Sequence, residues 1–264
     1  MNRAQWAMIK KDVGETTGSA QTFVPLLVVP LMMMVLLPLA LVIGAQFGES
    51  ALGGMNGFDQ LLKHFGDRLA GDTAGQTIIN VGVNVFFPSL FLLIPVMCSS
   101  IMGASSFVGE KEHRTLESLL YTPLSLRQMF VAKVVGTCLL SLAITYASMI
   151  AFGLVIDIGG WFQFGRLIFP NWKWVILALW VTPGVTVLGV TVMVFVSSKA
   201  ETFQDAQQMS VFVVLPILLL ILGQASGLFL LEEWMLLVIG LVVVILDVVL
   251  LRNAAVRYRP ETMI

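Results

Sequence analysis

The chain has 264 residues, 58% of them hydrophobic and 12% charged, with a formal net charge of −1. Roughly a quarter of the residues in an ordinary soluble domain are charged, so this composition argues against one and points to a bilayer. The near-neutral balance also removes the electrostatic case for a nucleic-acid partner.

The few charges leave long gaps. None falls between Glu15 and Glu49, Asp72 and Glu110, Lys133 and Asp157, Lys173 and Lys199, or Asp205 and Glu232, and the stretch from Glu233 to Arg252 holds only Asp247. Each gap accommodates the roughly 20 apolar residues that cross a bilayer as a helix. Backbone groups in lipid must be satisfied internally, and these runs lack the period-2 alternation of a barrel strand. The expected fold is an all-α membrane protein with six transmembrane helices in one domain, residues 1–264.

In chain order, residues 2–13 read as a short interfacial amphipathic helix. Trp6, Ile9 and Val13 share a face, flanked by Arg3 and Lys10, which reach toward lipid phosphates. Gly14 and Gly18 are expected to loosen the chain. The polar lead before Phe23 is longer than that of a usual signal peptide, so the first apolar run reads as a retained span, about 22–45. Its Pro25, Pro30 and Pro38 each remove a backbone hydrogen bond. Residues 46–77 form the longest outer loop, with Phe58, Leu61, Leu62, Phe65 and Leu69 at helical spacing. His64 there lacks a second metal ligand and reads as a solvated side chain.

The second span, about 79–105, contains Pro88 and Pro95. Asn80 and Asn84 lie one turn apart within it, and either line an outward cavity or bond a neighbouring helix. The third span, about 128–156, carries Thr137, Ser141, Thr145 and Ser148 on one face, a pattern for close helix packing or a dimer seam. Trp161, Trp172, Trp174 and Trp180 surround the next outer loop, where aromatics anchor helices at headgroup depth. The fourth span, about 174–197, is interrupted at Pro183-Gly184 and followed by the polar loop SSKAETFQDAQQ. The fifth, about 208–231, holds Pro216 and a soft patch at 223–227 that suits a re-entrant turn. Glu232 and Glu233 precede the sixth, about 234–251, where carboxylates suit a helix N-terminus. Asp247, deep in that span, reads first as a snorkelled or paired carboxylate near Arg252 and second as a cavity-lining proton or cation relay. Cys98 and Cys138 form no metal spacing and read as packing residues.

With both termini cytoplasmic, the inner segments carry eleven Lys and Arg residues and the outer ones four, namely Lys63, Arg68, Arg166 and Lys173. No G-x-x-x-x-G-K-[ST], HExxH or GxSxG occurs, so the sequence offers neither a nucleotide-phosphate loop nor a familiar catalytic constellation. Glu232-Glu233 is similar to the paired glutamates of intramembrane CAAX-type proteases, but the arginine and two histidines those enzymes place on neighbouring helices are missing. An intramembrane enzyme and a non-transporting membrane scaffold stand as the weaker alternatives.

One charged amphipathic segment lies between two charge-free spans: EKEHRTLESLLYTP, Glu110 to Pro123. Leu116, Leu119 and Leu120 form its apolar stripe beside His113 and Tyr121. Glu110 pairs with Arg114 at i,i+4, and Arg114 with Glu117 at i,i+3. Pro123 ends it, Ser125 with Gln128 gives a capping-box signal for the third span, and Leu124 with Met129 a hydrophobic staple. Lipid-surface helices are usually strongly basic, so the mixed charge favours a protein groove as its seat.

These residues resemble the signature of the type-2 ABC transporter permeases, which runs acidic-basic-acidic, then Gly-Thr-Leu-Glu, two Leu-like positions, Pro, and later Gly-Lys. Glu110, Lys111, Glu112, Thr115, Leu116, Glu117, Leu119, Leu120, Pro123 and Lys133 match; Arg114 and Ala132 replace the glycines. Residues 201–219, ETFQDAQQMSVFVVLPILL, are similar to the segment joining the fourth and fifth spans in the sodium- and drug-exporting branch. The resemblance implies the permease subunit of an ATP-driven exporter in a bacterial or archaeal plasma membrane, both termini cytoplasmic. Separate ABC ATPase subunits would bind ATP and Mg, and this chain no cofactor. A second permease copy or paralogue would complete the complex. The implied coupling helix would use Glu110, Glu112, Arg114, Leu116, Glu117, Leu120, Tyr121 and Pro123 against the ATPase. The cargo stays open among a drug, a peptide, a lipid-like molecule and sodium.

Overall fold

The computed structural model describes residues 3–46, 73–109, 112, 125–226 and 231–257, and every regular element among them is helical. We number them α1 (Arg3–Gly18), α2 (residues 20–46), α3 (residues 74–109), α4 (Leu126–Phe164), α5 (Trp172–Ser197), α6 (Phe203–Met209), α7 (Val211–Ala225) and α8 (Glu233–Arg257). Six stretches are long and apolar enough to cross a membrane: α2, α3, α4, α5, α6 with α7, and α8. The protein is thus an all-α, multi-pass membrane protein.

The boundaries depart from the sequence expectation in several places. The first helix runs to Gly18, and Gly14 lies inside it rather than loosening it. Thr16 and Thr17 donate back to the Asp12 and Val13 carbonyls and tighten its last turn. Its buried face is Gln5, Met8, Ile9, Asp12 and Thr16, whereas Trp6 is exposed, so Trp6 and Ile9 do not share a face. The third spanning helix continues to Phe164, eight residues past the expected end. Within the polar loop 197–208, Thr202 and Asp205 form a reciprocal capping box that starts α6.

α3 is the axis of the bundle. Its spanning stretch is 83% buried, against 28% or less for α2, α4, α6 with α7, and α8. The outer helices therefore turn broad apolar faces outward: Leu27 and Leu31 of α2, Ile150, Leu154 and Ile158 of α4, Leu219 and Leu222 of α7, and Leu241 and Ile245 of α8 are exposed. Facing lipid, such side chains need no protein partner. α5 crosses α3 closely, because a side chain at Gly189 would run into the Ser99 hydroxyl.

Three of the prolines shape their helices in one way. Before Pro38, Pro88 and Pro183 the chain widens into π-turns, Met32–Leu36, Gly82–Phe86 and Leu177–Val181. In each, the residue just before the proline donates to the carbonyl five residues back: Leu37 to Met32, Phe87 to Gly82 and Thr182 to Leu177. The next carbonyl is thereby released, and the proline itself has no N–H to give. At Pro88 and Pro183 other helices supply the donors. Trp174 Nε1 bonds the Val83 carbonyl at 3.1 Å, Lys173 Nζ the Asn84 carbonyl at 2.8 Å, and the Tyr146 hydroxyl the Ala178 carbonyl at 2.9 Å.

Trp174 is accordingly a core residue rather than an interfacial anchor. It is fully buried, stacks on Phe152 at 4.7 Å between centroids and meets Phe91 and Phe169 edge-on. Trp161, Trp172 and Trp180 are exposed. Nearby, Asp157 Oδ1 accepts from the Ile168 and Phe169 N–H groups at 2.9 Å each and pins the connection from α4 to α5.

Trp174→Phe keeps the ring packing but leaves the buried Val83 carbonyl without its donor, an expected loss of about 1–3 kcal/mol. Tyr146→Phe does the same to Ala178, while Trp172→Phe, exposed and outside this scheme, is the neutral control. Thermal unfolding in one detergent checks the order.

Candidate functional site

One end of the bundle gathers α1, the last turn of α3, the first turns of α4, and α6. The segment between α3 and α4 departs from and returns to this end. Of its candidate residues only Glu112 is described; Glu110, Arg114, Leu116, Glu117, Leu120, Tyr121 and Pro123 lie outside the described residues, as does Leu124 of the expected staple.

Glu112 is exposed, and its Oε2 accepts the Phe203 N–H at 2.8 Å. That N–H belongs to the first residue of α6, whose opening turn has no helical partner of its own. Thr202 Oγ1 takes the Asp205 N–H at 3.1 Å, and Asp205 Oδ2 returns the bond to the Thr202 N–H at 3.1 Å. The two stretches singled out in the sequence, 110–123 and 201–219, thus meet through Glu112 and Phe203. The Ser125–Gln128 capping box forms, at 3.1 and 3.3 Å, and starts α4.

Behind this contact lies a buried polar cluster of which sequence reasoning singled out only Lys133, as part of the signature. Ser106, in the last turn of α3, donates its hydroxyl to Asp12 Oδ2 at 3.1 Å, and its carbonyl accepts from Lys133 Nζ. Asp12, Ser106 and Lys133 are 8%, 8% and 6% exposed. The Lys133 ammonium also lies 5.6 Å from the Phe107 ring centroid. The carbonyl it meets is among the last of α3, at the negative end of the helix dipole. Gln5 Nε2 reaches the Gln128 carbonyl at 3.4 Å, a second polar link from α1 to α4. Around these, Met8, Ile9, Met129 and Ala132 close an apolar contact. The overlooked signal was periodicity: Asp12 falls at helical spacing from Gln5, Met8 and Ile9, so a carboxylate occupies the contact stripe.

The other candidates lie apart from this end. Asn84 bonds within the protein: Nδ2 to the Asn80 carbonyl at 2.9 Å, and Oδ1 from Asn171 Nδ2 at 2.6 Å. Asn171 is the N-cap of α5, so Asn84 holds a neighbouring helix start. Asp247 is buried on α8 with its Oδ1 unpartnered among the described residues, and makes no contact with Arg252. Gln224, within the soft patch, is buried and bonded to Ser89 of α3. The four hydroxyl residues of α4 are all buried, and Thr145 and Ser148 bond back to the Ser141 and Ile144 carbonyls.

Lys133→Met removes the positive group of the cluster while the Asp12 carboxylate stays buried, at an expected cost on the order of 3–5 kcal/mol. Adding Asp12→Asn recovers most of it. Thermal midpoints of the single and double variants in detergent check this, and equal midpoints refute it.

Comparison with known families gives one match. A family model described as ABC-2 family transporter protein matches residues 6–240, from α1 into α8. No curated protein and no solved structure matches the chain. The match takes in most of α1, the polar end apart from Gln5, and five of the six spans completely, and the chain belongs to the ABC-2 transporter protein family.

Proposed function

We propose that this chain is one membrane domain acting as the permease subunit of an ATP-driven exporter, with the nucleotide chemistry done by separate ABC ATPase subunits. The observation that carries the reading is the Glu112–Phe203 contact within a chain of this family: the charged segment after the second span is tied to the segment before the fifth. A docking surface at the joints of three spans is where an external motor gains purchase on a membrane domain.

In this reading the polar end is cytoplasmic, as the excess of Lys and Arg on that side favours, and so are both termini. Residues 110–123 form a coupling helix. Leu116 and Leu120 are its apolar anchor in a cleft of the ATPase, and Arg114 and Glu117 set charge complementarity. Closure of the ATPase dimer on ATP pushes the helix, and Gly109 and Pro123 pass the motion to α3 and α4. A second permease copy completes the complex in a bacterial or archaeal plasma membrane. The spans carry few charges, which favours a hydrophobic, amphipathic or peptide-like cargo over a densely coordinated small ion.

Glu117→Lys reverses a charge on the docking face without touching a span. Pull-down of the tagged permease is expected to recover at least about tenfold less ATPase, since like charges brought together at an interface cost several kcal/mol. Membrane insertion stays at the unmodified level. Undiminished ATPase recovery sinks the proposal.

A further inference from the structure

The contact between α1 and the bundle is mixed in a way that bare adhesion does not require. Apolar packing by Met8, Ile9, Met129 and Ala132 is non-directional and lets one helix slide along another. A buried carboxylate in that stripe costs free energy unless paired and hydrogen-bonded. Asp12 is held by the hydroxyl of Ser106, and the carbonyl of the same residue holds the ammonium of Lys133. One residue of α3 thereby grips α1 through one group and α4 through another. These bonds are directional, so they fix register where the apolar contact alone does not.

We propose that Asp12, Ser106 and Lys133 are positioning residues: a buried polar clasp that locks α1 to the bases of α3 and α4, so that the three move as one rigid body during the transport cycle. This rests on the coupling reading above. Ser106 sits three residues before Gly109, where α3 hands over to the coupling segment, so displacing that segment moves Ser106 and, through it, α1 and α4 together. α1 is on this view a fixed brace rather than a sliding gate.

The geometry supplies its own test. A Cβ at Gly136 of α4 would lie 3.6 Å from the Ile9 Cβ, within the roughly 3.5–4.5 Å range that a disulfide spans. Ile9→Cys with Gly136→Cys, in a background carrying Cys98→Ala and Cys138→Ala, is oxidised in lipid nanodiscs with the copurifying ATPase, nucleotide-free and after trapping with ATP and vanadate. With the clasp intact, the cross-link yield is expected to be equal in the two states. With Ser106→Ala or Asp12→Ala added, it is expected to become state-dependent. A yield that changes with nucleotide while the clasp is intact overturns the proposal, and so does a yield that stays constant without it.

A second measurement needs no ATPase. Amide hydrogen exchange across residues 3–18 of the chain alone is expected to quicken by about tenfold or more in Ser106→Ala, the scale set by losing a hydrogen bond to a charged group. Unchanged exchange also overturns the clasp. Absence of any copurifying ATPase sinks the coupling reading instead and leaves the exchange result to decide the clasp.

Discussion

A proline inside a lipid-embedded helix leaves a carbonyl that neither its own helix nor water can satisfy, and the packing of this bundle turns on supplying the missing donor. At Pro88 the donors are Trp174 and Lys173, and at Pro183 the donor is Tyr146. Hydrogen bonds of this kind fix which helices are neighbours and at what height. Apolar packing in a membrane does neither well, because lipid tails compete for the same surfaces. α3 and α5 exchange these bonds, Trp174 and Lys173 of α5 answering carbonyls of α3, and they are the two most buried spans, while α2, α7 and α8 face outward.

Much of this was legible in the residues. Charge-free gaps located six spans because a charge in hydrocarbon is expensive whatever the fold. The Ser125–Gln128 cap was readable because caps are local, and the same logic applied to Thr202 and Asp205 would have revealed α6. What stayed hidden depended on partners distant in sequence. Trp174 looked like a headgroup anchor because four tryptophans cluster near one loop. Its burial follows from a carbonyl released 91 residues away, which no window along the chain displays. Asp12 was a single carboxylate in a short amphipathic helix, and only the fold brings Ser106 and Lys133 to it.

The polar end differs in kind from the middle of the bundle. In the middle, neutral groups of Trp174 and Tyr146 answer released carbonyls, with Lys173 the one charged donor named there. At the end, Asp12, Lys133 and Glu112 bring full charges to hydrogen bonds that join separate helices. Charged hydrogen bonds are both stronger and more directional than neutral ones. They suit a region that transmits force, because they resist sliding as well as separation. The end that carries the charged segment 110–123 is thus also one whose helices are keyed together by charged hydrogen bonds, α6 included.

α4 has a length that none of the other helices shares. Its 39 residues make a rod of about 58 Å at 1.5 Å per residue, roughly twice the hydrocarbon thickness. Pivoted at the end that holds Lys133, a rod of that length acts as a lever: a tilt of about 5° carries its tip through about 5 Å. The tip bears Asp157, which holds the backbone of residues 168 and 169 and with it the approach to α5. In this geometry a small rotation at one end of α4 would become a displacement of several ångströms at the other.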